Sequence, residues 1–283
     1  MNLQDWLGRS ETVHDTATAT PFAALTATLD WPPGALAERP ADGTPLPPLW
    51  HWLYFLPIYP QSEIGADGHA KRGGFLPPVP LPRRMWAGSD FAFHEPLRVG
   101  DALSRTSTIV DVKEKTGRTG NLQFVKVRHE VRRQGGEAVA LTEHHNIVYR
   151  GAPTPDDVAP PPVAAPAQAA WTRRIVPDDV LLFRYSALTA NGHRIHYDHP
   201  YVTGVEGYPG LVFHGPLTAT LLMALAETGF GRPLTRFEFR NKAPLFADAP
   251  FEIAGMPDAG GDAATLWAAT PAGGLATEAR AVA

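Results

Sequence analysis

The sequence contains no cysteine, and that absence removes a disulfide framework, a thiolate nucleophile and any Cys-ligated zinc or iron–sulfur centre. It fits a reducing compartment, and a cytoplasmic location is expected. Charge is also scarce and nearly balanced, 25 Lys+Arg against 29 Asp+Glu for a formal −4. No global basic field exists to draw the chain to nucleic acid or an anionic membrane, so any anion site must be local. No window supplies the ~20 apolar residues of a membrane span, and the N-terminal stretch lacks the basic-then-apolar pattern of a signal peptide. A Gly-rich phosphate loop, a G-x-S-x-G nucleophile turn and a nicotinamide fingerprint are missing as well.

Proline and glycine are plentiful, 29 and 26 in 283 residues, while 44% of the chain is apolar. This describes a globular protein with many loops and length enough for one large or two medium domains. The Pro/Ala run after Arg150 has no core-forming periodicity and reads as a linker over 151–170, which divides the chain into 1–150 and 171–283. Alternating segments at Ala102–Lys113, Asn121–Val131 and Ala138–Tyr149 predict long antiparallel strands. Leu217, Leu221, Ala224 and Leu225 recur at helical spacing, with Pro216 in the first turn, and predict a buried helix over Leu211–Glu227. Strands are expected after it at Thr235–Phe239, Phe251–Gly255 and Thr265–Ala269.

An internal echo pairs Phe91-Ala92-Phe93 and Pro96-Leu97 with Phe237-Glu238-Phe239 and Pro244-Leu245. It suggests a duplication, a pseudo-dimer within one chain. Leu49–Phe55, apolar and Trp-rich but soon followed by Pro57, is the candidate central helix of a degenerate first half.

Titratable groups concentrate in one window, where Asn191, His193, His196, Tyr197, Asp198 and His199 fall within nine residues. The bland reading is a polar surface loop. Against it, apolar Leu181–Phe183 and the buried helix bracket the window, which places it over a cavity. Asn191 and His196 would stand about 140° apart on a regular helix, so a turn or broken helix is needed to aim both at one reactant. His193 and His196 could share a face and, with Asp198, give a metal site of the N,N,O type. That trio defines an alternative reading, a metal-dependent hydrolase, although the main reading needs no metal.

The run Asn191-Gly192-His193-Arg194-Ile195-His196-Tyr197-Asp198, followed by Val212-Phe213-His214-Gly215 before the helix, resembles the active-site stretch of the MaoC-like, (R)-specific hydratase branch of the hotdog superfamily. The N-x-H-x-I-H-Y-D variant is similar to that of mitochondrial-type hydroxyacyl-thioester dehydratases and of bacterial mesaconyl-C4-CoA and itaconyl-CoA hydratases. The resemblance implies an α+β tandem hotdog, each half a long antiparallel sheet around a central helix, with the N-terminal half degenerate. It implies a hydro-lyase acting on a short, branched, dicarboxylic acyl-CoA such as mesaconyl-C4-CoA or itaconyl-CoA without a further cofactor, and association into a homodimer. A fatty-acid-type 3-hydroxyacyl-thioester dehydratase is the alternative within that class, and a non-catalytic acyl-CoA-binding protein the alternative outside it.

Hydration of an α,β-unsaturated thioester needs a held and deprotonated water, a proton for the α-carbon and stabilisation of negative charge on the thioester oxygen. His196 is the candidate acid/base. The family's usual Asp is replaced by Asn191, which cannot act as a base but can orient water, with Asp198 or Tyr197 fixing the imidazole. The helix N-terminus at Gly215 suits an oxyanion, and His214 lines the pocket or caps the helix. Arg83, Arg84, Arg194, Arg240 and Lys242 are candidate cations for CoA phosphates. Arg84 is the candidate partner of a second carboxylate, and Trp86 and Phe91 could shape the acyl pocket.

Overall fold

The computed structural model describes residues 3–30, 38–117, 120–151 and 161–283. Part of the expected linker, 152–160, lies outside the described residues. The remainder is not a free spacer: Ala165 N–H donates to Gly273 O, and Leu275 N–H to Val163 O, which ties it to a sheet turn.

Among the described residues ten antiparallel strands form one sheet. The first half contributes β1 (Ser10–Thr16), β2 (Arg83–Phe93), β3 (Ala102–Gly117), β4 (Gly120–Arg133) and β5 (Leu141–Arg150). The second contributes β6 (Trp171–Ile175), β7 (Arg236–Asn241), β8 (Phe251–Pro257), β9 (Ala263–Ala269) and β10 (Leu275–Val282). The order β1-β3-β4-β5-β2-β7-β10-β9-β8-β6 reads the same from either edge once the halves are matched strand for strand. The halves meet where β2 pairs with β7, and there Phe91 lies opposite Phe237. The echo in the sequence therefore marks the pseudo-dyad.

Cross-strand partners in an antiparallel sheet point to the same face. One row runs Ser107–His129–Glu143–Phe91–Phe237–Ala281–Ala264, and the next runs Ile109–Val127–His145–Ser89–Phe239–Ala279–Leu266. The first row turns from polar to apolar on reaching Phe91; the second is apolar at Ile109 and Val127, polar at His145 and Ser89, and apolar again from Phe239. A bulge between Trp86 and Gly88 shifts the alternation by one residue, so Arg84 and Trp86 face the same side as Ser89 and Phe91.

The helices α1 (Ala19–Leu29), α2 (Asp179–Leu188), α3 (His199–Gly204) and α4 (Gly215–Phe230) lie within or beside this framework. α4 carries Leu217, Leu221, Leu222 and Leu225 among nine buried residues, and it packs on β6 to β10. A helix apolar nearly all round belongs in a core. Its start is fixed by Pro216 and its end by Gly231 in the left-handed conformation (φ 63°).

Among the described residues the first half has no equivalent of this helix. Leu46 N–H donates to Leu97 O, just as Phe213 N–H donates to Leu245 O immediately before α4. The chain then forms only a four-residue 3₁₀ turn, Trp50–Leu53, instead of the central helix anticipated over Leu49–Phe55. Leu49 and Phe55 sit at φ 70° and 55°, so left-handed residues close the turn at both ends. α1, α2, α3, β1, β2, β6 and β10 lie outside the elements expected from the sequence. No described helix is long and apolar enough to cross a membrane.

Candidate active site

α2 begins at Asp178, whose side chain caps Leu181 N, and ends by turning into the site. Asn191 N–H reaches back to Ser186 O at 2.8 Å while Ala190 takes φ 49°, a Schellman-type ending with alanine where glycine is usual. A non-glycine residue there costs on the order of 1 kcal/mol, and the Asn191 side chain helps to hold the turn. Its Oδ1 accepts from His193 N at 3.1 Å, and a 3₁₀ turn Arg194–His196 then presents His196. Asn191 and His196 thus come from a turn and a short helix, and both line one cavity of about 310 Å³.

His196 is buried, 7% exposed. Its Nδ1–H donates to Val212 O at 2.7 Å, which leaves Nε2 as the acceptor nitrogen. His214 stacks on it with centroids 3.7 Å apart and planes 17° from parallel. His214 is itself fully buried and hydrogen-bonded through Nε2 to Ser186 Oγ at 2.8 Å. It occupies the N-cap position of α4 without making a side-chain cap, so it supports His196 rather than lining the cavity or capping the helix. Burial depresses His196 to about 4, its neighbour His69 adding to the effect against the Val212 bond. Burial likewise lowers His193, with His69 and His196 contributing, and holds His214 far down. These imidazoles are neutral at pH 7, and neutral is the form a general base requires.

Tyr197 and Asp198 do not fix the His196 ring. Tyr197 is 43% exposed and donates to Gly192 O, and Asp198 caps α3 through Tyr201 N while pairing with Arg194 at 2.7 Å. Both brace the loop from outside. The grouping His193, His196 and Asp198 is therefore not assembled. Among the described residues the group with ligand spacing is Asp67, His69 and His193, whose donor atoms lie within 4.8 Å of one another.

Asp67 and His69 come from the first half and were not anticipated. Their loop is pressed onto the loop that carries Asn191 and His196: Arg194 donates to Asp67 O and Ala66 O, and a Cβ on Gly68 would stand 1.7 Å from Gly192 O. His69 Nδ1 and Asp67 Oδ2 are 2.9 Å apart. Burial opposes the Asp67 charge, but its bonds from His69 hold the carboxyl well below the usual range. The Asp-Gly-His triplet is a visible turn signal, whereas its partner lies more than a hundred residues away.

Gly215 lines the cavity at the start of α4, where backbone N–H groups have no partner one turn earlier. A Cβ there would meet Asn241 Nδ2 at 2.6 Å, which is why glycine is needed. Asn241 in turn donates to Trp86 O and accepts from Thr277. Of the candidate cations, Arg83, Arg84 and Lys242 line the cavity, while Arg194 and Arg240 do not. Arg83 pairs with Glu206 and Lys242 with Glu278. Among the described residues Arg84 has no carboxylate partner, its polar neighbour being the Tyr149 hydroxyl. Trp86 lines the cavity, and Phe91, 3% exposed, is core.

Solved structures share this architecture. A MaoC-like dehydratase from Phytophthora capsici superposes with a TM-score of 0.70 at 13% identity, covering 100% of this chain and 97% of that one. A double-hotdog protein from Mycobacterium tuberculosis gives 0.54 at 13%, covering 99% and 98%. The mesaconyl-C(4)-CoA hydratase of Chloroflexus aurantiacus is 50% identical over 277 residues, 97% of this chain and 95% of that protein. The mitochondrial hydroxyacyl-thioester dehydratase type 2 of Schizosaccharomyces pombe is 26% identical, covering 84% and 87%. Residues 49–247, which hold both the Asn191–Asp198 loop and the Asp67–His69 loop, match the hydroxyacyl-thioester dehydratase type 2 family, and the chain belongs to that family.

Proposed function

We propose that this chain is an acyl-CoA hydratase that adds water to the α,β double bond of a short, branched, dicarboxylic acyl-CoA of the mesaconyl-C4-CoA type. The observation that carries the reading is His196, buried, neutral and tautomerically fixed, with Nε2 as its acceptor atom in a cavity that Asn191 and Gly215 also line. In the proposed step water gives a proton to His196 Nε2 as its oxygen bonds to the β-carbon. The electron pair of the double bond moves onto the thioester, giving an enolate whose oxygen lies at the first turn of α4. The imidazolium then returns the proton to the α-carbon, so one water is consumed and His196 is regenerated. Asn191 holds the water through its amide instead of sharing the proton. Arg84, the cavity cation without a carboxylate partner, takes the second carboxylate of the acyl group.

The substrate is the CoA thioester, with no further cofactor in the proposed step. Cytoplasmic location and homodimer formation are part of the same reading. The 50% relative supports mesaconyl-C4-CoA as the first substrate to try. The test is loss of enoyl-thioester absorbance with mesaconyl-C4-CoA, itaconyl-CoA and crotonyl-CoA. Preference for a dicarboxylic thioester is expected, whereas preference for crotonyl-CoA would favour the fatty-acid dehydratase alternative and hydration of none would remove the proposal.

A further inference from the structure

Among the described residues the first half lacks a central helix, and the space above its sheet is filled by aromatic side chains around a buried carboxylate. Glu143 is 3% exposed. Its Oε1 accepts from Ser89 Oγ at 3.0 Å, and its Oε2 from Trp52 Nε1 and His51 Nε2 at 3.2 Å each. Ser89 Oγ in turn accepts from Trp86 Nε1 at 3.0 Å. Trp86 is thereby the outermost member of a hydrogen-bonded chain running from the cavity wall into the interior. Trp52 meets it edge-on at 5.1 Å and 74°, His145 lies 4.1 Å away at 37°, and its carbonyl accepts from Asn241 Nδ2. The indole is held at its N–H, on its flanks and at its backbone.

His145 and Ser89 touch Trp86, Glu143 holds Ser89, and none of the three lines the cavity. A longer alkyl chain entering there would have to displace the indole and strip hydrogen bonds from buried polar groups, and such groups are costly to leave unmade.

We infer that Trp86, positioned by Ser89 and Glu143, is the end wall of the acyl pocket and sets a short chain-length limit. This rests on the cavity being the acyl pocket of a hydratase. The test compares kcat/KM for crotonyl-CoA and trans-2-octenoyl-CoA in the full-length protein, because a merely structural loss lowers both and leaves their ratio unmoved. In the wild type the ratio strongly favours the short substrate. Trp86→Ala lowers it by at least ten-fold, and Ser89→Ala, which removes one oxygen and frees the indole, lowers it about three-fold. A ratio unchanged in Trp86→Ala overturns the inference, as does an unchanged ratio in Ser89→Ala should Trp86→Ala not fold. A wild type that hydrates neither thioester nor a dicarboxylic one sinks the hydratase reading itself, whereas the former outcomes leave that reading standing.

Discussion

The two halves share a strand plan and differ in what covers it. In the C-terminal half Phe237, Phe239, Ile253 and Leu266 lie under α4, a long apolar helix. In the N-terminal half the matching rows carry Ser107, His129, Glu143 and His145 as well as Ile109 and Val127, and a four-residue turn meets Glu143 through His51 and Trp52. A sheet with an apolar face can bury a helix by area alone, whereas a polar face needs partners for each buried group. Glu143 has its three donors, and Ser107 bonds His129 at 2.8 Å. One half supplies the helix start and His196; the other supplies the loop with Asp67 and His69 and the wall with Arg84 and Trp86. The difference teaches that a duplicated fold can keep its sheet while giving one copy over to the site's walls.

Among substitutions that set one half against the other, breaking the contact between them should have the largest effect. Gly68→Ala forces a Cβ onto Gly192 O and asks alanine to hold φ +90°, so kcat/KM should fall by about 100-fold while the melt remains cooperative. Steady-state kinetics alongside thermal melts would show this, and unchanged kinetics would mean the loop is not part of the site. Arg84→Gln should raise KM for a dicarboxylic thioester by roughly 10- to 100-fold and leave KM for crotonyl-CoA within about two-fold, because only the former offers a carboxylate to lose.

Two substitutions sharpen the contrast in stability. Burial would push the Glu143 carboxyl up, but the hydrogen bond from His51 and the electrostatic pull of His129, His51 and His145 bring it down to about 2. A depressed pKa stabilises the fold above the unfolded value of 4.5 and loses that contribution as pH falls toward 2. Glu143→Gln replaces one accepting oxygen by a donor among three donors, and urea melts at pH 7 should show a loss of about 2 kcal/mol that narrows on acidification. The opposite case stands at the end of α4, where burial raises Glu227 to about 7. A raised carboxyl stabilises below 4.5 and is lost as pH rises through 7, so Glu227→Gln should gain about 1 kcal/mol above pH 7 and nothing near pH 4.

Much of this was legible in the chain. Phe91 and Phe237 announced the dyad, and the spacing of Asn191 and His196 required the broken helix that Ala190 begins. The N-terminal central helix was a wrong expectation, because an apolar Trp-rich run reads alike whether it is helix or turn; Leu49 at positive φ decides it. The Asp67–His69 loop and the buried Glu143 network stayed hidden since both depend on contacts between distant segments, and a lone Asp, His or Glu carries no periodicity to betray its partner. Val212, whose carbonyl fixes His196, acts through its backbone, which sequence does not reveal.

The most direct measurement is the pH profile of kcat/KM for the preferred enoyl-CoA in the wild type and in His196→Ala. A loss of about 1000-fold or more in the variant, with a wild-type acid limb near the depressed value of about 4 rather than near 6.5, is the result expected of His196 as the neutral base. Retained activity in His196→Ala would contradict the account.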